Sequence, residues 1–294
     1  MSVFELHIEV NSLEKNIIEL LKTQCELSTA ELKSAINKGA LWLARGKRIA
    51  RQRRLKAPLK IADVLHFYYN PDVLNQICPT AQLISDFQHY SIWYKPYGML
   101  SQGSKWSDHT TIARYAQQHL PNERPCFIIH RLDRAATGLI MVGHSKKAAQ
   151  TLTALFERKS DQLLEKHYQI IVEGDASNLA KPLIVEEPID GKKAKSSFTF
   201  LQYDAALDAS LMQVKIDSGR KHQIRKHAAF IAHPVIGDRL YNPTYKEQDK
   251  TAINLQLCAI KLSFNCPFEN NYREIILPEG LRPALAKLNK KNTD

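Results

Sequence analysis

The stretch from Ile128 to Ser145 reads IIHRLDRAATGLIMVGHS. The leading apolar pair and the apolar run Leu139–Val142 are typical of two strands, and the polar residues between them predict a turn. Asp133 lies in this turn between Arg131 and Arg134. An aspartate between two arginines is often an ordinary surface turn residue. Neighbouring guanidinium groups also favour an ionised carboxylate, so we interpret Asp133 as a candidate nucleophile.

The chain carries a large excess of positive charge. Its 294 residues include 41 Lys and Arg against 30 Asp and Glu, a net charge of +11. Such a balance favours a polyanionic partner. The length suits one medium domain with a small one, and a hydrophobic content of 44% is typical of a globular protein.

Cysteine usage and hydropathy indicate where the protein acts. Five cysteines are scattered without CxxC spacing, which argues against a zinc site and a disulfide framework and fits a reducing compartment. The first residues lack the basic start and apolar core of a signal peptide. No apolar run approaches the roughly 20 residues of a membrane span. We therefore expect a cytoplasmic protein that does not act at a membrane.

Residues 1–75 predict a small α+β domain. Residues 3–10 alternate like an edge strand, Ser28 to Glu31 form a capping-box pattern before a helix, and Arg45-Gly46 marks a hairpin turn. Residues 45–60 contain eight basic residues and no acid. A run of charge is often only a solvated face. Here it flanks a hairpin, so we predict that it binds RNA phosphates, through Arg45, Arg48, Arg51, Arg53 and Arg54.

Residues 76–88 are predicted to be a linker, because Pro79 lies among residues of weak periodicity. A larger domain is expected over 89–294. Besides the opening stretch, it contains KPYGM at 95–99, KHYQIIVEG at 166–174 and GRKHQIRKH at 219–227, followed by HPVIGDRLY at 233–241. The alternation around Tyr168 predicts a strand, and the spacing after Arg220 predicts a helix.

These four stretches, in their order along the chain, resemble the motifs of the pseudouridine synthases, in the branch that modifies large ribosomal RNA and transfer RNA. The first 75 residues resemble the small RNA-binding domain of the ribosomal protein S-four type. The resemblance implies an α+β fold, in which a mixed, mainly antiparallel sheet is flanked by helices, with a small α+β domain before it. It also implies a monomer without an obligate protein partner.

The resemblance implies specific roles for individual residues. Asp133 is the expected nucleophile, Arg225 its ionic partner, and Tyr168 a pocket residue within reach of a proton. Ile216 is expected to pack on the base, and Arg131 to fill the space that a flipped base leaves. His130 and Gln223 are further candidates for substrate binding. Relatives usually carry a histidine where this chain has Cys258, so the role of that position stays open.

The implied reaction converts uridine to pseudouridine in structured RNA, with ribosomal RNA favoured and transfer RNA possible. It breaks the N-glycosidic bond, turns the base and rejoins it through carbon, so neither a cofactor nor a metal is expected. Whether Asp133 attacks the ribose, attacks the base or abstracts a sugar proton stays open. A non-catalytic RNA-binding or ribosome-assembly factor is an alternative. A metal-dependent nuclease is a weaker one, because His222, His227 and His233 lack the spacing of a metal site.

Overall fold

The computed structural model describes residues 2–157, 164–179, 181–245 and 253–288. The chain divides into two compact units. The smaller unit comprises Met1–Cys78 and Gln102–His119, and the larger comprises Pro79–Ser101 and Leu120–Asp294. The chain therefore enters the smaller unit twice.

The smaller unit contains an antiparallel sheet with the strand order β1-β4-β2-β3. Among the described residues its strands are β1 (Phe4–Glu9), β2 (Leu41–Arg45), β3 (Arg48–Arg51) and β4 (Val64–Tyr69). Its helices are α1 (Ile17–Lys22), α2 (Thr29–Asn37), α3 (Pro71–Leu74) and α4 (Ile112–His119). One apolar core joins the strands to α1 and α2, through residues such as Ile17, Leu32 and Phe67.

Helix α2 begins where the capping box predicts. The Ser28 hydroxyl accepts a hydrogen bond from the Glu31 backbone at 3.2 Å, and the Glu31 carboxylate accepts one from the Ser28 backbone at 2.8 Å. These bonds satisfy two amides that would otherwise lack a partner at the start of the helix. The apolar face that follows is buried, so the local signal and the packing agree.

The segment 102–119 packs with the smaller unit through charge and backbone contacts. The Asp108 carboxylate forms ion pairs with Arg51 and Arg53, and the Ser107 hydroxyl donates to the Lys38 carbonyl at 3.0 Å. Hydrophobic periodicity does not register such contacts between distant residues, and the predicted small domain did not include this segment.

The larger unit is built on a mixed sheet. Its described strands are β5 (Gln82–Asp86), β6 (Tyr90–Lys95), β7 (Phe127–Ile128), β8 (Thr137–Gly143), β9 (Leu164–Glu173), β10 (Leu183–Val185), β11 (Ser196–Asp204), β12 (Ala209–Ile216), β13 (Leu257–Cys266) and β14 (Asn271–Ile276). The main path runs β10-β11-β12-β9-β13-β8-β6-β5, with β14 paired to β13 and β7 to β8. Around it lie α5 (Lys146–Glu157), α6 (Gln223–Phe230), a 3-10 turn (Glu279–Leu281) and α7 (Leu285–Leu288).

Within the described chain, β8 and β13 form the parallel pair and the other paired strands of this sheet are antiparallel. The prediction of an α+β fold with a mixed, mainly antiparallel sheet is confirmed. The predicted linker is wrong in part, because residues 82–86 form β5. This strand pairs with β6, and such tertiary pairing outweighs the weak local pattern.

Gly138 allows β8 and β13 to approach closely. Its φ is +107°, and a Cβ atom at this position would lie 2.3 Å from the Ala259 carbonyl oxygen. A larger side chain would push the strands apart. The close approach brings the turn that carries Asp133 next to β13, while β13 and β12 flank Tyr168 on β9.

Candidate active site

The turn that carries Asp133 is supported by the stretch KPYGM and the residues after it. The Ser101 hydroxyl donates to the Leu132 carbonyl at 2.7 Å and accepts from the Leu132 amide at 3.0 Å. The Gly98 amide donates to the Arg134 carbonyl at 2.9 Å, and the Lys95 ammonium donates to the same oxygen at 3.4 Å. The backbone on both sides of Asp133 is therefore fixed.

Lys95 is a buried cation behind this turn, with none of its surface exposed. Burial lowers the pKa of Lys95 to about 7, and the negative charge of Asp133 opposes this change. The ammonium also donates to the carbonyls of Pro96 and Met99, each at 3.0 Å. Lys95 therefore stabilises the turn by binding three carbonyl groups.

Arg225 joins the start of α6 to Asp133. Its Nη1 atom donates to Oδ2 of Asp133 at 3.3 Å. The Arg225 side chain is 6% exposed and that of Asp133 is 27% exposed, so a buried cation faces a carboxylate that solvent and substrate can reach. The structure brings this predicted pair together from positions 92 residues apart.

Asp238 is the second acceptor of Arg225, and our sequence reasoning did not identify it. Nε of Arg225 donates to Oδ2 of Asp238 at 2.7 Å, and Nη2 donates to Oδ1 at 2.6 Å. Burial alone would raise the pKa of Asp238. The bonds from Arg225 and from the Leu240 and Tyr241 amides instead hold it below its ordinary value. Asp238 thus fixes the guanidinium in the plane from which it reaches Asp133.

His222 also faces the candidate nucleophile. Its Nε2 atom lies 3.8 Å from Oδ1 of Asp133, and its Nδ1 atom is 2.9 Å from the Tyr241 hydroxyl. His222 precedes α6 with a φ of +55°, and this conformation directs the chain into the helix. Burial lowers the pKa of His222, so the ring favours its neutral form near Asp133.

A cavity of about 90 Å³ opens at this carboxylate. Five of the predicted site residues line it, and these are Arg131, Asp133, Tyr168, Ile216 and Gln223. Burial, together with the negative charge of Asp133, raises the pKa of Tyr168, which keeps the phenol protonated. The cavity therefore combines a carboxylate, a neutral phenol and an aliphatic wall.

Comparison with known proteins agrees with this geometry. The sequence model of the RNA pseudouridylate synthase family matches residues 89–230. The dual-specificity RNA pseudouridine synthase RluA of Vibrio parahaemolyticus is 26% identical over 234 residues, which cover 75% of this chain and 90% of that protein. An uncharacterized RNA pseudouridine synthase of Aquifex aeolicus is 28% identical over 233 residues, covering 70% of this chain and 72% of the relative.

The family match and these relatives support the assignment of this chain as an RluA-type RNA pseudouridine synthase. It is an isomerase that acts on RNA. The solved structure of human RNA Pseudouridylate Synthase Domain Containing 1 has the same fold, with a TM-score of 0.54 at 18% identity. That likeness covers 73% of this chain and 96% of the human chain.

Gln223 of this synthase is committed to bonds within the protein. Its amide oxygen accepts from the Ser218 hydroxyl at 2.7 Å and from the Arg220 amide at 3.1 Å. Its amide nitrogen donates to the Lys195 carbonyl at 2.9 Å and the Ser196 hydroxyl at 3.0 Å. Gln223 therefore shapes the loop before α6, although the sequence suggested that it binds substrate.

His130 is not among the residues that line the cavity of the synthase. Its ring stacks on Phe156 at 4.3 Å, and its Nε2 atom accepts from the Met141 amide at 3.1 Å. Burial lowers the pKa of His130 to about 3. Its contacts indicate that a neutral histidine supports the turn from behind, whereas the sequence had suggested substrate contact.

The five arginines predicted to bind RNA divide into two groups. Arg45 donates to Asp63 at 2.8 and 2.6 Å, while Arg51 and Arg53 pair with Asp108. The statement that no acid neutralises the basic run holds for the sequence but is wrong for the folded synthase. Arg48 and Arg54 are exposed and form no ion pair with any other described residue.

Over the parts of the chain that the structure describes, no group of three or more His, Cys, Asp or Glu is placed to hold a metal ion. His227 instead contacts the Ser196 hydroxyl and the Glu187 carbonyl, each at 2.9 Å. The described helices of the synthase include none that is long and apolar enough to cross a membrane.

Proposed function

We propose that this synthase isomerises specific uridines in structured RNA at the cavity lined by Asp133, with Asp133 as its nucleophile. The observation that carries the proposal is the chain of contacts Asp133–Arg225–Asp238, which presents a partly exposed carboxylate to a cavity shared with Tyr168. A guanidinium anchored by one carboxylate keeps the other oriented.

The target base must leave its stack to reach this carboxylate, at a cost of a few kcal/mol. Arg131 is exposed and lines the mouth of the cavity, a position suited to filling the space that the base vacates. A planar cation stacks well on the neighbouring bases. Arg131 is therefore our candidate for stabilising the flipped state.

Covalent catalysis by a carboxylate suits a glycosidic carbon. The N-glycosidic bond breaks, the base turns within the cavity, and a bond from carbon forms in its place. The proton on that carbon then leaves and the ring nitrogen released from the ribose gains one, so the change is a net isomerisation that needs no external reactant. Ile216 and Tyr168 flank the base and limit the access of water, and Tyr168 lies near Asp133 as a proton relay.

For the substrate we favour ribosomal RNA, with transfer RNA as the second choice. In our proposal residues 1–75, with residues 102–119 of the same unit, form an S-four-type RNA-binding domain, and the rest of residues 89–294 forms the catalytic domain. Arg48 and Arg54 would contact phosphates and add salt-dependent affinity. The five cysteines are free, which suits action in the reducing cytoplasm, where we propose that the protein works as a monomer.

The test compares the wild-type protein with Asp133→Asn on unmodified transcripts of large-subunit ribosomal RNA and of transfer RNA, followed by pseudouridine mapping. We expect wild-type protein to convert specific uridines, and Asp133→Asn to fold and bind RNA but convert none. Asp190→Asn is the control, because Asp190 is an exposed carboxylate paired with Lys226 on α6. Full turnover by Asp133→Asn would contradict the proposed nucleophile, whereas tight binding without conversion by wild-type protein would favour the assembly-factor alternative.

A further inference from the structure

The larger unit contains a second and larger cavity, of about 290 Å³. Tyr97, from the stretch KPYGM, lines it together with Tyr94, Asn254, Gln256 and Lys287. Its volume lies near the lower end of the roughly 300–1,000 Å³ that small-molecule sites occupy. The roles proposed for the site residues leave this cavity unused.

This cavity adjoins the one at Asp133. Leu257 lines both cavities, and the neighbouring residues Ala136 and Thr137 line the first and the second respectively. The start of β8 and the start of β13 thus form a thin wall between them. Because the two cavities share Leu257, they lie side by side, as neighbouring nucleotides of an RNA strand do.

We propose that the second cavity binds the base of a nucleotide next to the target uridine. This inference rests on the proposed function, because it takes the cavity at Asp133 as the place where the uridine reacts. The occupant is a part of the RNA substrate itself, so the cavity would contribute to the choice of target.

The lining residues suit a nucleobase. Tyrosine rings are stacking surfaces for bases. The Tyr97 hydroxyl accepts a hydrogen bond from Arg239 at 3.1 Å, which holds the ring in place. The Asn254 side chain forms no hydrogen bond to another described residue, and the Gln256 amide nitrogen donates to the Asn254 carbonyl at 2.7 Å. The amide groups of both residues can therefore pair with the edge of a base.

The charge of the residues that line the second cavity suits the phosphate group of a bound nucleotide. Arg282 and Lys287 are basic, and none of the residues that line the cavity is acidic. The Lys287 ammonium donates to the carbonyls of Gly280 and Arg282, at 2.7 and 2.8 Å, which fixes this cation at the rim. A fixed positive charge beside two aromatic rings and two amides matches the parts of a nucleotide.

The test uses a stem-loop RNA that carries the uridine mapped with wild-type protein. Two further RNAs lack the base on its 5′ side or its 3′ side. The variants are Tyr97→Leu, which removes the stacking ring, and Tyr97→Phe, which keeps it. Thermal melting establishes that each variant folds, and steady-state kinetics gives KM and kcat on each RNA.

With intact RNA we expect Tyr97→Leu to raise KM about tenfold, and Tyr97→Phe to raise it less than about twofold. Removing one of the two neighbouring bases should raise the wild-type KM about tenfold and erase the difference between wild-type protein and Tyr97→Leu. An unchanged KM in Tyr97→Leu, or an equal rise on all three RNAs, would overturn the inference. Failure of the proposed function shows separately, as turnover by Asp133→Asn.

Discussion

Arg225 donates two short hydrogen bonds to Asp238, at 2.7 and 2.6 Å, and one longer bond to Asp133, at 3.3 Å. The Asp238 side chain is 0% exposed, whereas that of Asp133 is 27% exposed. The buried carboxylate thus anchors the cation, and the accessible one remains available for chemistry.

Replacing Asp238 tests this division of labour. Asp238→Asn removes the negative charge beside a buried guanidinium, so we expect the free energy of unfolding to fall by about 3–5 kcal/mol. Displacement of Arg225 should also lower kcat/KM by roughly 100-fold at temperatures where the variant is folded. Denaturant unfolding and pseudouridine formation measure the two effects.

Asp190→Asn is the matched control for Asp238→Asn. Asp190 pairs with Lys226 on α6, the helix that carries Arg225, but the Asp190 side chain is 66% exposed. An exposed pair contributes only about 0–1 kcal/mol, so stability and activity should change little. Wild-type kcat/KM in Asp238→Asn would show that Arg225 does not need its anchor.

The basic run offers a second comparison. Arg48→Ala with Arg54→Ala should weaken RNA binding and reduce the salt dependence by about two phosphate contacts, without lowering the melting temperature. Arg45→Ala should instead destabilise the protein, because it leaves the buried Asp63 carboxylate without its cation. Filter binding over a salt series and thermal melting separate the two groups. Equal loss of RNA affinity without loss of stability in both variants would contradict this division.

Gly138→Ala should disturb the contact between β8 and β13. The added Cβ would lie 2.3 Å from the Ala259 carbonyl oxygen, and the positive φ adds strain. We expect a loss of more than about 3 kcal/mol in the free energy of unfolding, since backbone atoms cannot move aside as a flexible side chain can. Gly219→Ala is the control for stability, because nothing lies within 4 Å of its added Cβ. Similar unfolding curves for both variants would refute the close approach.

The acid stability of the protein should depend on His130. The pKa of His130 is about 3 in the folded protein, against an ordinary value of 6.5. Below pH 6.5 the unfolded chain therefore binds a proton at His130 that the folded chain does not bind. The free energy of unfolding should therefore fall as the pH drops from 6.5 toward 3, by at most about 1.4 kcal/mol per pH unit from this group. His130→Gln cannot titrate here, and its side-chain oxygen can still accept from Met141. Denaturant unfolding between pH 7 and 4 should give a shallower slope in the variant, and identical slopes would exclude His130 as the cause.

The Asp133–Arg225 pair was predictable because each residue lies in a distinctive local motif. Asp238 was not predicted, although it lies in the stretch GDRLY beside the motif of Arg225. A buried guanidinium carries five N–H donors, and one partly exposed carboxylate cannot accept hydrogen bonds from all of them. Arg225 therefore needed a second acceptor. The acidic residue Asp238, a few residues after α6, was the feature of the sequence that could have identified this acceptor.

The statement that no acid neutralises the basic run was wrong for a different reason. Its acidic partners lie outside it, with Asp63 18 residues from Arg45 and Asp108 55 residues from Arg53. Counting charge along the sequence does not detect partners that folding supplies. The same limit explains why β5 was taken for a linker, since its pairing with β6 depends on tertiary contacts.

Because residues 102–119 belong to the smaller unit, they determine which fragments of the protein contain a complete unit. A fragment that starts at Pro79 would keep Asp108 and Trp106 but lose Arg51, Arg53 and Tyr68, which they contact. A fragment that ends at Cys78 would lack α4. The fragment from Pro79 therefore holds all of the larger unit, but also a piece of the smaller unit without its partners, so removing residues 1–78 and 102–119 together, with a short bridge, respects the way the chain folds.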